Sequence, residues 1–148
     1  LHDGGKIKKA SAKRSVQKMR SRILFVSGHP DDARRLSRML QSLPLTVDRV
    51  ETLQQAHAKL QQEDYGVILT EAVLPDGNWP DALQLAHQHR SDLEVIVTDP
   101  HADARFWAEA LNLGAYDLLA QPFYEPEVRR ILYNACSRAG YRVMAAVG

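Results

Sequence analysis

Five times along this chain a short apolar run rich in β-formers gives way to a segment with apolar residues at helical spacing, and this alternation narrows the fold more than any other feature. The runs are ILFVS (23–27), LTVDRV (45–50), GVILT (66–70), EVIVT (94–98) and YDLLA (116–120), each of strand length. After the first, Pro30 with Asp31 and Asp32 suits the opening turn of a helix, where a missing N–H is harmless and carboxylates meet the positive end of the dipole. Ala33, Leu36, Met39, Leu40 and Leu43 supply its apolar face. Further helices are expected over 52–62, capped by Thr52, over 80–89, over 103–113, ended by Gly114, and over 125–138, stopping at Gly140, with LPDGN (74–78) as a loop. Strands one, three and four do not alternate with polar residues, as strands covered on both faces require. Parallel strands need right-handed crossovers. The expectation is an α/β fold, a (βα)5 doubly wound five-stranded parallel sheet.

A chain of 148 residues with 45% apolar and 25% charged side chains can bury the core of one such domain. Its net charge of +1 hides a division. Up to Arg22 there are eight basic residues against Asp3 alone, a net +7, and the remainder sets eleven basic residues against seventeen acidic ones, a net −6. Residues 1–21 are therefore expected to form a basic flexible arm or linker, 22–139 the folded domain and 140–148 a C-terminal tail. A Lys/Arg-rich segment attracts polyanions through counterion release, so nucleic-acid binding through the arm stands beside the plainer reading of a solvated linker. No apolar run reaches the roughly 18–20 residues of a membrane span, and no membrane contact is expected. The single Cys136 can form neither an intramolecular disulfide nor a cysteine-based metal site, which suits a reducing, cytoplasmic setting.

In an open α/β sheet, chemistry sits outside the carboxyl ends of the strands, near the point where strand order reverses. The residues there are Ser27, Gly28 and His29, then Glu71, then Thr98 and Asp99, then Ala120, Gln121 and Pro122. No G-x-G-x-x-G follows the first strand and no G-x-x-x-x-G-K-[ST] occurs, so nothing builds a phosphate-holding nest. Ser27 lacks the G-x-S-x-G elbow of a hydrolase. With no nucleophile–base pair and no cofactor fingerprint, an enzyme is not expected.

Three stretches, ILFVSGHPDDARRL, VILTEAVLPDG and LNLGAYDLLAQPF, occur in an order and at a spacing that resemble the receiver domain of bacterial two-component response regulators over about 22–139. The resemblance implies a flavodoxin-like receiver fold. It also implies an acidic pair after the first strand that holds Mg²⁺, and here Ser27 and Gly28 occupy those positions. The phosphoacceptor position falls on Glu71, four residues before Pro75. The switch Ser/Thr falls on Asp99 when counted back from Gly114 and Ala115, or on Thr98 with a one-residue slip, and the switch aromatic falls on Leu118. The family's lysine falls on Gln121, and Pro122 after it is the cis-proline candidate.

These exchanges have chemical consequences. Mg²⁺ prefers octahedral oxygen ligands with carboxylates among them, and the implied positions offer Glu71 alone, so Mg²⁺ binding is expected to be weak or absent and no metal or cofactor is assigned. Phosphoryl transfer depends on cations that neutralise the phosphoryl oxygens; Gln121 supplies none and Asp99 adds an anion. Glu71 is one methylene longer than Asp, which displaces the nucleophile from line. The expected function is a phosphorylation-independent, pseudo-receiver signalling module that acts through contacts with a protein partner or output domain. Its rival is a conventional phosphoryl-accepting receiver that regulates transcription. A corollary makes Glu71 a standing phosphomimic, weakened by the missing charge at Gln121.

The resemblance further points to the face formed by the fourth helix, fifth strand and fifth helix as the docking surface for partners or a second copy. Trp107, Tyr116 and Tyr124 are the interface candidates there, beside Phe106 and Phe123, since exposed aromatics anchor interfaces. Ile131 and Leu132 read as core and Cys136 as an inert small hydrophobe. Asp31 and Asp32 read as dipole and capping carboxylates before a displaced metal pair, Asp76 as a turn residue, and His87 and His89 as solvated. His29, the only histidine near the cleft, reads as structural, with anion or metal binding as the alternative.

Overall fold

The computed structural model describes residues 21–147, with side chains through Arg138. The arm expected over 1–21, and the nucleic-acid reading attached to it, lie outside the described residues except for Ser21, which opens the first strand. The elements are β1 (Ser21–Val26), α1 (Pro30–Met39), β2 (Leu45–Val50), α2 (Leu53–Gln62), β3 (Val67–Glu71), β4 (Val73–Leu74), β5 (Gly77–Asn78), α3 (Trp79–His89), β6 (Glu94–Asp99), α4 (Ala104–Leu113), β7 (Asp117–Ala120) and α5 (Glu125–Val147). The main sheet runs β2-β1-β3-β6-β7, every pair parallel. Strand order therefore reverses between β1 and β3, and a crevice opens there at the carboxyl ends.

The period of two along each strand sorts the core into two layers. Leu24, Val26, Ile68, Val95 and Val97 face one side, covered by Ala56 and Leu60 of α2, Leu83 and Ala86 of α3 and Ala110 of α4. Ile23, Phe25, Val67, Leu69 and Ile96 face the other, beneath Leu36 of α1 and Val128, Leu132 and Ala135 of α5. Each fully buried large aliphatic contributes about 1.5–3 kcal/mol, so the apolar runs that defined the strands also hold the two helical layers in place. Ile131 and Cys136 lie in the second layer, and burial pushes the Cys136 thiol up to about 12.

Two segments differ from the sequence expectation. The stretch expected as a loop over 74–78 lies in a small antiparallel hairpin over 73–78, Val73 pairing with Asn78 and Leu74 with Gly77. The Asp76 carboxylate at its tip accepts the amides of Leu53 at 2.9 Å and Gln54 at 3.0 Å, so it serves the open end of α2 as well as its own turn. Asn78 caps α3 in a reciprocal box with Asp81, which starts that helix at Trp79. A Cβ on Gly77 would meet Asp81 Oδ2 and Leu53 Cδ1, both at 2.7 Å; glycine lets the hairpin seat between α2 and α3.

The second difference is at the end of α5. The helix expected to stop at Gly140 continues to Val147, so the tail placed over 140–148 is helical through that residue. An interior glycine costs about 1 kcal/mol relative to alanine but leaves the hydrogen-bond ladder intact, and the alanines, Arg142 and Met144 around it are strong helix formers. Gly114, by contrast, takes a left-handed φ of 109° and does end α4; a stop signal needs that conformation as well as the residue. Among the described residues no helix is long and apolar enough to cross a membrane.

Candidate functional site

Glu71 is the last residue of β3, the central strand, with β1 on one side and β6 on the other. The ends of those strands place Ser27–His29 and Thr98 beside it. Ser27 is fully buried, its amide bound to Val50 O and its carbonyl accepting Arg49 Nη1 at 2.8 Å. Its Oγ accepts the His29 amide at 2.9 Å, which turns the chain sharply into α1. That turn aims two donors at Glu71: the Gly28 amide reaches Oε1 at 2.8 Å and His29 Nδ1 lies 2.7 Å from Oε2. The Glu71 side chain is 12% exposed and that of His29 70%. The hydrogen bond to Glu71, then its charge, raises the His29 pKa above the ordinary 6.5. With Nδ1 as donor, the protonated ring and the carboxylate form an ion pair.

On the other flank Glu71 pairs in register with Thr98. The Thr98 side chain is buried; its hydroxyl donates to Leu119 O at 2.8 Å and accepts Gln121 Nε2 at 3.2 Å. The Asp99 carboxylate accepts the His101 amide at 2.9 Å, in the turn that follows β6. Gln121 thus spans from β7 to β6, the Gln121–Pro122 peptide is cis, and Leu118 is buried under α4. A cavity of about 260 Å³ opens beside this group, lined by Asp32, Arg35, Pro100, Gln121, Pro122 and Phe123.

The positions that the resemblance assigns to Mg²⁺ do not fit that ion. Ser27 Oγ is spent on a backbone amide, Gly28 offers no side chain, and its N–H, a donor, already sits on Glu71 Oε1. Sequence reasoning ranked the plainer role first for His29 and Asp32, which the fold brings here, and left Arg35 out. His29 read as structural before a ligand, and its Nδ1 lies 2.7 Å from the Glu71 carboxylate. Asp32 and Arg35, three apart on one face of α1, reach the cleft rim together; that spacing was the available signal. Asp31 pairs with Arg34 at 2.9 Å outside the site, and His87 and His89 lie exposed on α3.

The interface candidates separate by burial. Tyr124 is 65% and Trp107 48% exposed, with Trp107 Nε1 held by Asp117 at 3.1 Å. Tyr116 is half-buried against the second core layer, as is Phe123, and the Phe106 ring packs tilted against Trp79 with ring centroids 5.8 Å apart. Tyr133, which drew no attention in the sequence, is exposed on α5.

Comparison with known proteins completes the picture. A family model described as the response regulator receiver domain matches residues 23–133. The chain is 26% identical over 116 residues to response regulator protein PilR of Pseudomonas aeruginosa, covering 78% of this chain and 26% of PilR. It is 29% identical over 116 residues to transcriptional regulatory protein KdpE of Staphylococcus aureus, covering 75% of this chain and 48% of KdpE. The chain therefore spans between a quarter and a half of the length of these relatives. Among solved structures, the signal receiver domain of an HD domain-containing protein from Pseudomonas fluorescens Pf-5 is similar at a TM-score of 0.74 and 25% identity, over 84% of this chain and 93% of that one. With sheet order, strand-end cleft and family match in agreement, the chain belongs to the response regulator receiver domains of two-component signalling.

Proposed function

We propose that this receiver domain signals without taking up a phosphoryl group, through protein contacts with a partner or output domain in the cytoplasm. One observation carries the reading: both oxygens of Glu71 are engaged by the residues that stand in and beside the place of an acidic pair, Oε1 by the Gly28 amide and Oε2 by His29. A carboxylate whose lone pairs are directed at donors is a poor nucleophile toward a phosphodonor, and the adjoining Gln121 is tied to Thr98 and brings no charge. Incubation with acetyl phosphate and Mg²⁺ followed by intact mass is expected to leave the mass unchanged. A phosphoryl adduct present on the wild-type chain and lost in Glu71→Gln overturns the reading.

The contact surface in this reading is the α4-β7-α5 face, with Trp107 and Tyr124 as its exposed anchors, and a second copy of the chain is among the partners it suits. Because His29 faces Glu71, the standing charge at the phosphoacceptor position is coupled to His29. Glu71→Gln is expected to shift partner binding or oligomeric state, and unchanged values remove that charge from the mechanism.

A further inference from the structure

The cleft brings to Glu71 two donors, His29 and Asp32, that the family positions named above do not contain. One ligand atom each from His29, Asp32 and Glu71 lies within 4.8 Å of the others. His29 follows β1, Asp32 is in the first turn of α1 and Glu71 ends β3, so three separate segments converge. Glu71 Oε1 is fixed by the Gly28 amide, which orients the carboxylate and leaves Oε2 toward the imidazole. Asp31 next door is committed to Arg34, whereas Asp32 accepts no hydrogen bond from the described residues and points into the same opening. Arg35, one turn further along α1, lines the same cavity as Asp32.

From this geometry we infer that His29, Asp32 and Glu71 form a binding site for a divalent transition cation of the Zn²⁺ class. Oxygen-only Mg²⁺ sites have no use for an imidazole, while one nitrogen and two carboxylate oxygens suit borderline cations. Ligands about 2.1 Å from a tetrahedral ion stand about 3.4 Å apart. His29 and Glu71 are already closer than that, and the exposed imidazole together with the half-buried Asp32 has the freedom to contract the remaining span. The Gly28 amide acts as the outer partner that holds a ligating carboxylate. Three protein ligands leave coordination open for solvent. This site does not depend on phosphorylation independence: it uses neither Ser27 nor Gln121, and it stands or falls by metal titration alone.

The test is calorimetric titration of the chelator-stripped chain with ZnCl₂ and, separately, MgCl₂, with circular dichroism to confirm folding of each variant. One Zn²⁺ per chain is expected, with Mg²⁺ bound far more weakly. Affinity is expected to fall at least about tenfold in His29→Ala and in Glu71→Gln, less in Asp32→Asn, and to be unchanged in a His87→Ala/His89→Ala double variant. In the wild-type chain, Zn²⁺ is expected to move the His29 imidazole resonances. No Zn²⁺ binding by the wild-type chain, binding that survives His29→Ala, binding lost with His87 and His89, or Mg²⁺ binding of equal strength would each overturn the assignment.

Discussion

Two carboxylates five residues apart, Glu71 and Asp76, both accept two hydrogen bonds from another part of the chain, yet they do different work. Asp76 is met by two backbone amides at the start of α2. Backbone donors do not titrate, so the contact is permanent, and it holds the Asp76 pKa below its ordinary value. Glu71 is met by one amide and one imidazole, and an imidazole changes its charge near neutrality. Identical acceptor chemistry thus gives a clamp where both donors are fixed and a responsive site where one of them can lose a proton.

The largest effect expected from probing this contrast is at the clamp. Gly77→Ala must push a methyl against Asp81 and Leu53 and is expected to cost about 1–3 kcal/mol, read as a lowered urea midpoint; an unchanged midpoint means that the hairpin gives way freely and is no clamp. Next comes Asp76→Ala, which strips two donors at a helix start and should cost about 1 kcal/mol. A carboxylate with a depressed folded pKa stabilises above its unfolded value, near 3.8, and that contribution disappears as pH falls through the folded value. The stability gap between wild type and Asp76→Ala should therefore close on acidification below about pH 4; a gap independent of pH would assign the loss to packing.

At the cleft the expected sign is opposite. His29 has a raised folded pKa, so its contribution is fully present below 6.5 and is lost as pH rises through the folded value. With the ring largely exposed, the effect on stability is small and salt-sensitive, so the sharper measurement is an NMR titration of His29 in chelator-treated protein. Glu71→Gln should return its pKa toward 6.5; a value that does not move shows the pair is not formed in solution. The smallest effect expected is from His87→Gln, a solvated position, which should leave both stability and the His29 titration unaltered.

The legibility of these features in the sequence follows from their range. The five apolar runs, the Thr52 cap and the Gly114 stop are local signals, and the structure places them within two residues of where they read. The hairpin was hidden because its strands are two residues each and are held by contacts to α2 and α3. Gly140 misled because a glycine's effect on a helix depends on the φ it adopts. At the cleft, position along the strands located Glu71, Thr98 and Gln121, but a lone histidine on a turn carries no mark of its partner. The His29–Glu71 contact joins residues 42 apart in sequence, and only the parallel pairing of β1 with β3 brings them together.

The floor of the cleft is polar and already complete. Ser27, Thr70 and Thr98 are the buried polar residues among those described, all at or beside strand ends, and no buried side-chain nitrogen or oxygen among them lacks a hydrogen-bond partner. A visitor that takes the place of the imidazole at Glu71 Oε2 enters by exchange, since that contact is one the protein already makes. Tight binding at that oxygen then favours species whose bond exceeds that of an imidazole, and weak polar solutes that crowd a cell gain little there. Selectivity here is built into the resting state, as a threshold that a visitor has to pass.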